Sequence, residues 1–114
     1  MTSGDIVWVR FPRVERDGVM RRPAMLLSQG LVGSPRAPLF CALMITNARR
    51  PDWPGDVLIP DHAEVGLNIA CKVRTAKVET VEVRFAERVG RLPEQTLADV
   101  LTHERAILAS SEAL

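Results

Sequence analysis

The sequence has little of what marks a membrane, secreted or zinc protein. No apolar run approaches the roughly 20 residues that a membrane-spanning helix needs. Residues 1–5 show neither the basic nor the apolar region of a signal peptide, and the chain has no internal repeats. Its two cysteines, Cys41 and Cys71, lie in apolar segments without clustered histidines, so we expect two small buried residues rather than a disulfide or zinc ligands. One cytoplasmic domain over residues 1–114 is the simplest prediction.

The charge is nearly balanced overall but is unevenly distributed along the chain. Residues 1–54 contain eight arginines and four acidic residues, whereas residues 55–114 contain seven basic and ten acidic residues. Thirteen of the fifteen basic residues are arginines, and the planar guanidinium group makes bidentate contacts with phosphate. A high arginine content also arises from genomic base composition, and both causes stay open. The N-terminal half is the better candidate for contact with an anionic partner.

The pattern of apolar residues predicts a mainly β chain that ends in one helix. Gly, Pro and polar residues predict connections at 12–22 and 47–55. From Pro93 onwards the apolar positions follow helical spacing. Short strands and a terminal amphipathic helix indicate a small barrel with the helix packed on it. The predicted strands are Ile6–Phe11, Ala24–Ser28, Leu39–Thr46, Val57–Ile59, Ile69–Thr75, Val78–Val83 and Arg88–Leu92.

Two polar residues suited to phosphate chemistry lie at the edges of apolar strands. Arg22 directly precedes Pro23 and the second apolar run, and Thr46 ends the third predicted strand. A guanidinium stabilises charge on phosphoryl oxygens, and a threonine hydroxyl donates a hydrogen bond that positions them. From the local sequence alone, a solvated arginine and a strand-end hydroxyl are the simpler interpretation.

Five short segments follow one another in a characteristic order over nearly the whole chain. Each segment is weak evidence by itself, but the ordered set resembles the MazF/PemK family of type II toxin endoribonucleases. The resemblance implies a small SH3-like β-barrel with a C-terminal helix, a homodimer and a cognate antitoxin protein as partner. It also implies sequence-specific cleavage of single-stranded RNA, as by an mRNA interferase, without a metal or another cofactor. The segments are Gly4–Val9, Arg22–Ser28, Ile45–Thr46, Gly66–Leu67 and Val89–Leu92.

The resemblance assigns the family's catalytic arginine to Arg22 and its catalytic threonine to Thr46. In the implied reaction the RNA 2′-OH attacks the adjacent phosphate, Arg22 stabilises the added charge, and Thr46 positions a phosphoryl oxygen. With the ordered pattern we prefer this catalytic interpretation of the pair. The chain departs from the family at Asn47, where Ser or Thr is common, and at Cys71, where the family has serine.

Further residues near this pair are candidates for RNA contact, because they supply charge, hydrogen bonds or a stacking surface. The alternative is structural: solvated loop arginines, a strand-end serine, and a tryptophan that packs its loop onto the barrel. Trp8, inside a strand, is expected in the core or at a dimer interface. His62 lies in a predicted loop and is able to approach a substrate, although we prefer a non-catalytic role, and His103 is expected on the helix surface. The RNA-contact candidates are Arg13, Arg21, Ser28, Asn47, Arg49, Arg50 and Trp53.

Two other classes of function stay open at this point. One is a non-enzymatic toxin of related fold that poisons DNA gyrase, as the CcdB branch does, although residues 109–114 show no recognisable gyrase-contact set. The other is a barrel that binds RNA or a protein partner and has no catalytic activity.

Overall fold

The computed structural model describes residues 2–12, 19–28 and 39–110. These residues form six strands, a short 3-10 helix and one α-helix. None of their helices is both long and apolar enough to cross a membrane. The elements are β1 (Asp5–Pro12), β2 (Val19–Leu26), β3 (Leu39–Asn47), β4 (Asp56–Leu58), β5 (Cys71–Glu82), the 3-10 helix (Val83–Phe85), β6 (Ala86–Arg91) and α1 (Glu94–Ser110).

The six strands form one antiparallel sheet in the order β4-β5-β3-β2-β1-β6. β5 and β6 are joined by Val83–Phe85 alone, although three strands separate them in the sheet. In a flat sheet the two strands would lie about 19 Å apart at about 4.8 Å per strand, whereas the connection reaches roughly 14 Å. The sheet must therefore curve strongly.

The predicted mainly β fold with a C-terminal helix is confirmed. Among the described strands, β4 and β6 are the two edges of the sheet and are not paired with each other. Closure into an SH3-like barrel therefore stays a prediction.

Apolar side chains are buried on both faces of the sheet because successive residues of a strand point to opposite sides. One cluster includes Ile6, Met25 and Leu43 and extends to Val100 of α1. The other includes Val7, Ala24, Leu26 and Met44. Burial on two faces explains why the end of β2 and most of β3 read as continuous apolar runs.

Trp8 belongs to neither apolar cluster and is only half-buried. The expectation of a core tryptophan is therefore wrong. The alternative expectation, a dimer interface, stays a prediction.

The sequence prediction and the structure differ most in β5 and β2. The segments predicted as two strands, Ile69–Thr75 and Val78–Val83, lie mostly within the single strand β5. The register with β3 shifts between the pairs Leu43–Val78 and Met44–Arg74, so residues 75–77 form a bulge. β2 begins at Val19, inside the predicted loop 12–22, because residues 19–22 pair with β1 although Arg21 and Arg22 interrupt the apolar pattern.

Two of the family-like segments meet each other through their glycines. Gly66 has a φ of +87°, and a Cβ there would approach the Val89 carbonyl oxygen to 2.5 Å. A Cβ on Gly90 would overlap the Val65 carbonyl group. Close backbone packing therefore explains these glycines, which lie away from the predicted catalytic pair.

The first family-like segment supplies a buried carboxylate. Asp5 is 2% exposed and accepts a 2.8 Å hydrogen bond from the Thr2 amide. Arg88 Nε and Arg91 Nη1 lie 3.3 and 3.2 Å from its Oδ1, and we name Asp5, Arg88 and Arg91 the Asp5 centre. Burial raises the pKa of Asp5, but the Thr2 amide and the two guanidinium groups outweigh burial and hold the pKa below its usual value. The centre joins the start of β1 to β6.

Candidate functional site

A cleft of about 560 Å³ opens where β2 and β3 separate. The last pair between these strands is Ala24 with Met44, although β3 continues to Asn47 and β2 extends back to Val19. Pro23 has no N–H and cannot extend the ladder as a donor. The walls of the cleft come from β1, β2, β3, β5, the loop 48–55 and residues 67–69. We call the loop 48–55 the cleft loop.

The register places Arg22 and Thr46 on the same face of the sheet. Each lies two residues beyond the Ala24–Met44 pair on its own strand, so both side chains point to the side of Ala24 and Met44. Arg22 is exposed, Thr46 is half-buried, and both line the cleft. Thr46 is paired across the sheet with Lys72 of β5. The two residues predicted as catalytic thus come together in one cleft.

The described lining of the cleft contains four basic side chains and no acidic one. The basic residues are Arg22, Arg50, Arg74 and Lys77. Two tryptophans and the amides of two asparagines also line the cleft. Positive charge combined with flat ring surfaces is what a single-stranded nucleic acid requires of its binding site.

The cleft collects only part of the residues predicted to contact RNA. Arg21 is exposed and binds Glu87 at 2.9 Å, Ser28 is half-buried after the end of β2, and the exposed Arg49 is not part of the lining. Arg13 lies outside the described residues. The predicted residues that do line the cleft, besides Arg22 and Thr46, are Asn47, Arg50 and Trp53.

The two histidines do not line the cleft. His62 lies half-buried in the turn before Gly66. His103 is exposed on α1, as predicted, with Nδ1 2.8 Å from the carbonyl oxygen of Asp99.

The cleft loop is irregular, as its two prolines and glycine predict, and β5 side chains hold it in place. Lys72 Nζ donates to the Arg50 carbonyl oxygen at 2.6 Å and to Asp52 Oδ1 at 2.7 Å. Arg74 Nη2 donates to the Pro51 carbonyl oxygen at 2.6 Å. These hydrogen bonds attach the middle of the loop to the sheet below it.

Two further residues complete this attachment. Thr75 Oγ1 donates to the Gly55 carbonyl oxygen at 2.7 Å. Asp56 Oδ2 accepts the Trp53 amide at 2.9 Å and lies 3.5 Å from Lys72 Nζ and 3.6 Å from Arg74 Nη2. We call the set of Lys72, Arg74, Thr75, Asp52 and Asp56 the loop anchor.

Trp53 combines the two roles that the sequence left open. Its ring packs on the guanidinium of Arg74, whose Cζ lies 4.2 Å from the ring centroid. The residue is nevertheless 43% exposed and lines the cleft. The tryptophan therefore packs its loop onto the sheet and still offers surface to a ligand.

The sequence analysis did not select Lys72, Arg74 or Lys77. The signal lies in β5, where Lys72 and Arg74 alternate with the apolar residues Cys71 and Val73. In a strand this alternation puts both cations on one face. Lys77 reaches the cleft through the bulge, which has no comparable sequence signal.

Both cysteines are free, as predicted, and Cys71 lines the cleft. Burial raises the pKa of the Cys71 thiol, which favours the unreactive protonated form. Cys41 is only half-buried, so the expectation of a buried residue is wrong for Cys41 and confirmed for Cys71. Within residues 2–12, 19–28 and 39–110, no group of three His, Cys, Asp or Glu side chains is placed to hold a metal ion.

Comparison with known proteins places the chain in a family of toxins. The chain matches the PemK-like, MazF-like toxins of type II toxin–antitoxin systems over residues 2–108. It therefore belongs to this family, whose members are endoribonuclease toxins, and the predicted family is confirmed.

Solved structures give particular relatives. The chain is similar to MazF from Deinococcus radiodurans in a MazE–MazF complex, with 25% identity, a TM-score of 0.71 and 96% of each chain covered. A second structure, of MazF from the same organism, gives 25% identity and a TM-score of 0.67, again with 96% of each chain covered. An endoribonuclease in complex with its cognate antitoxin, from a mycobacterial species, shares the fold at 14% identity with a TM-score of 0.68, over 96% of this chain and 95% of that one. No curated protein sequence matches the chain.

Proposed function

We propose that this protein is a sequence-specific endoribonuclease that cleaves single-stranded RNA without a metal, as the toxin of a type II toxin–antitoxin pair. The observation that carries the proposal is the single cleft that holds Arg22 and Thr46 together with three further basic side chains and two tryptophans. The proposal includes a cytoplasmic homodimer of SH3-like barrels and a cognate antitoxin. Solved relatives in complex with MazE or with a cognate antitoxin support the antitoxin as a partner.

The proposed reaction uses a nucleophile that the RNA itself supplies. The 2′-OH attacks the adjacent phosphorus and releases its proton. The bond to the 5′-oxygen breaks and that oxygen takes up a proton, so the products are a 2′,3′-cyclic phosphate and a 5′-OH end. Arg22 stabilises the negative charge that grows on the phosphoryl oxygens, and it remains protonated because its pKa exceeds about 12. Thr46 donates a hydrogen bond that holds one phosphoryl oxygen in line for the attack.

Cleavage of a long RNA in EDTA tests this proposal directly. We expect the wild type to cut at a short motif, and we expect Arg22→Ala and Thr46→Ala to lower kcat by about 100-fold or more, as loss of a charge-stabilising donor does. Arg105→Ala, which removes an exposed arginine of α1, is the matched control and should cut like the wild type. A 2′-deoxy substitution at the mapped site should abolish cleavage there.

Three results would contradict the proposal in different ways. Equal cutting by the wild type and both site variants would remove Arg22 and Thr46 from the mechanism. Cutting at the 2′-deoxy position would rule out attack by the 2′-OH. Trapped gyrase–DNA complexes without loss of RNA would favour a non-enzymatic gyrase poison instead.

A further inference from the structure

The cleft loop forms one wall of the cleft, yet a side chain outside the cleft lining holds it. Arg50 and Trp53 line the cleft, whereas Lys72 does not. We propose that Lys72, together with Asp52, is a positioning residue that sets the sequence preference of RNA cleavage by fixing Arg50 and Trp53 at the cleft. This inference rests on the proposed endoribonuclease activity and adds a determinant of its specificity.

The first support is the geometry of the attachment. Lys72 and Arg74 are two residues apart on β5 and bind the consecutive carbonyl oxygens of Arg50 and Pro51. The ring of Pro51 fixes its φ angle. Because the hydrogen bonds also fix the carbonyl groups of Arg50 and Pro51, the backbone at these two residues has little conformational freedom. Arg50 therefore leaves the backbone from a fixed position.

The ends of the cleft loop are held as well. The Ala48 amide donates to the Ala70 carbonyl oxygen at 2.9 Å, and Asn47 Oδ1 accepts the Arg49 amide at 2.9 Å. At the other end, Thr75 binds the Gly55 carbonyl oxygen. With both ends held, the Lys72 contacts decide where the middle of the loop lies.

The second support is the burial of the ammonium group. The Lys72 side chain is 4% exposed, and three oxygens surround its Nζ, those of the Arg50 carbonyl, Asp52 and Asp56. A buried charge is tolerated only when such partners are present, so the loop has to stay in contact with Lys72. Asp52 is 88% exposed and approaches Lys72 from the solvent side.

A loop held before RNA arrives discriminates better between bases than a loop that has to be ordered during binding. Ordering a free loop costs conformational entropy, and a mobile Trp53 adapts to several bases. Since Lys72 does not line the cleft, its loss should act on binding and base preference and leave the step at Arg22 and Thr46 largely intact. The expected signature is a higher KM with a nearly unchanged kcat.

The test compares four variants with the wild type in the full chain. Lys72→Met removes the ammonium and keeps the length of the side chain, Asp52→Asn removes only the outer charge, and Asp52→Glu preserves it. Asp99→Asn changes an exposed aspartate of α1 and is the matched control. For each protein, RNA-end sequencing reads the site preference, steady-state cleavage gives kcat and KM, and limited trypsin digestion at the Arg49–Arg50 bond reports the freedom of the loop.

We expect Lys72→Met to raise KM about tenfold, to broaden the set of cleaved motifs and to accelerate nicking after Arg49, because charged hydrogen bonds contribute strongly. Asp52→Asn should raise KM about two- to fivefold, as loss of an exposed ion pair does. Asp52→Glu keeps the carboxylate and should show the KM and the motif preference of the wild type. If Lys72→Met does not fold, the comparison of Asp52→Asn with Asp52→Glu carries the test. Both variants change a surface residue and should fold.

The possible failures are distinguishable. A wild type that neither binds nor cuts RNA would overturn the proposed function and this inference with it. A wild type that cuts, beside folded Asp52→Asn and Lys72→Met proteins with unchanged KM and motif, would overturn this inference alone. Broadened motifs with unchanged nicking after Arg49 would also contradict it, since the effect would not pass through the loop.

Discussion

The Asp5 centre and the loop anchor are two ionic groups that bury different charges. At the Asp5 centre a carboxylate that is 2% exposed meets the guanidiniums of Arg88 and Arg91, which are 52% and 42% exposed. At the loop anchor the cations Lys72 and Arg74 and the carboxylate of Asp56 are buried, whereas the other acidic partner, Asp52, is 88% exposed. One group therefore buries a lone carboxylate among exposed cations, and the other buries two cations with one carboxylate.

The two ionic groups connect different parts of the structure. The Asp5 centre joins the N-terminal turn to β1 and β6, and none of its residues lines the cleft. The loop anchor lies beside the cleft, and Arg74 belongs to both. Because the buried cations Lys72 and Arg74 outnumber the buried carboxylate of Asp56, the loop anchor fixes the loop without leaving an unpaired anion beside a phosphate chain. We infer that one group serves stability and the other serves stability and the ligand together.

The largest effect should come from the backbone beside the Asp5 centre. Gly90→Ala puts a methyl group onto the Val65 carbonyl, and the backbone of β6 or of the turn at Gly66 must move. We expect the free energy of unfolding to fall by about 3 kcal/mol, as overpacking against main chain does. Urea unfolding measures the loss, and the kcat of the folded fraction should stay at the wild-type value. A loss below about 1 kcal/mol would show that the two segments separate easily.

A smaller effect is expected when the charge of the Asp5 centre is removed. Asp5→Asn should lower the free energy of unfolding at pH 7 by about 1–2 kcal/mol, because both arginine partners are partly screened by solvent. RNA cleavage per folded molecule should not change, in contrast to Lys72→Met. A changed motif preference in Asp5→Asn would remove the distinction between the two groups.

The pH dependence of this difference has a definite sign. The pKa of Asp5 is lower in the folded protein than its usual value of 3.8, so its stabilising contribution is present above that value. The contribution is lost as the pH falls through the folded-state pKa. The free energies of unfolding of the wild type and of Asp5→Asn should therefore differ most above about pH 5 and become similar in acid. If the difference in free energy of unfolding does not shrink in acid, the charge of Asp5 is not the cause of that difference.

The smallest effect is expected at a buried carboxyl outside both groups. Glu104 of α1 is 5% exposed, its Oε2 has no hydrogen-bond partner among the described residues, and burial raises its pKa above the usual 4.5. A raised pKa means that stability is lost as the pH rises from 4.5 through the folded-state pKa. Glu104→Gln should therefore raise the free energy of unfolding at pH 7 by about 1 kcal/mol. If the variant is less stable than the wild type at pH 7, a paired Glu104 is indicated.

The local sequence was sufficient for the strands whose apolar pattern is continuous. β3 was predicted as Leu39–Thr46 and ends one residue later, and the helix predicted from Pro93 begins at Glu94. The start of β2 was missed because Arg21 and Arg22 interrupt its apolar pattern, and residues 19–22 belong to the sheet through their pairing with β1. The bulge at residues 75–77 was missed for a similar reason, since it is defined by the register against β3.

At the candidate site, too, the local sequence indicated some features and contacts between distant residues decided the others. The ordered segments led to Arg22 and Thr46, and the structure brings both to one cleft. They did not distinguish Arg50, which lines the cleft, from its neighbour Arg49, which does not. The orientation of a loop residue depends on the contacts made by its backbone, and those contacts come from β5, more than 20 residues further along the chain.

The sequence by itself determined the mainly β fold with a C-terminal helix and the family, because apolar periodicity and ordered short segments are local properties. Only the tertiary structure decided that β2 and β3 separate after Ala24 and Met44, that Arg22 and Thr46 share the resulting cleft, and that Lys72 and Arg74 lie beneath the cleft loop. Each of these features is a contact between distant parts of the chain. Such contacts are formed by register and burial, which no single segment encodes.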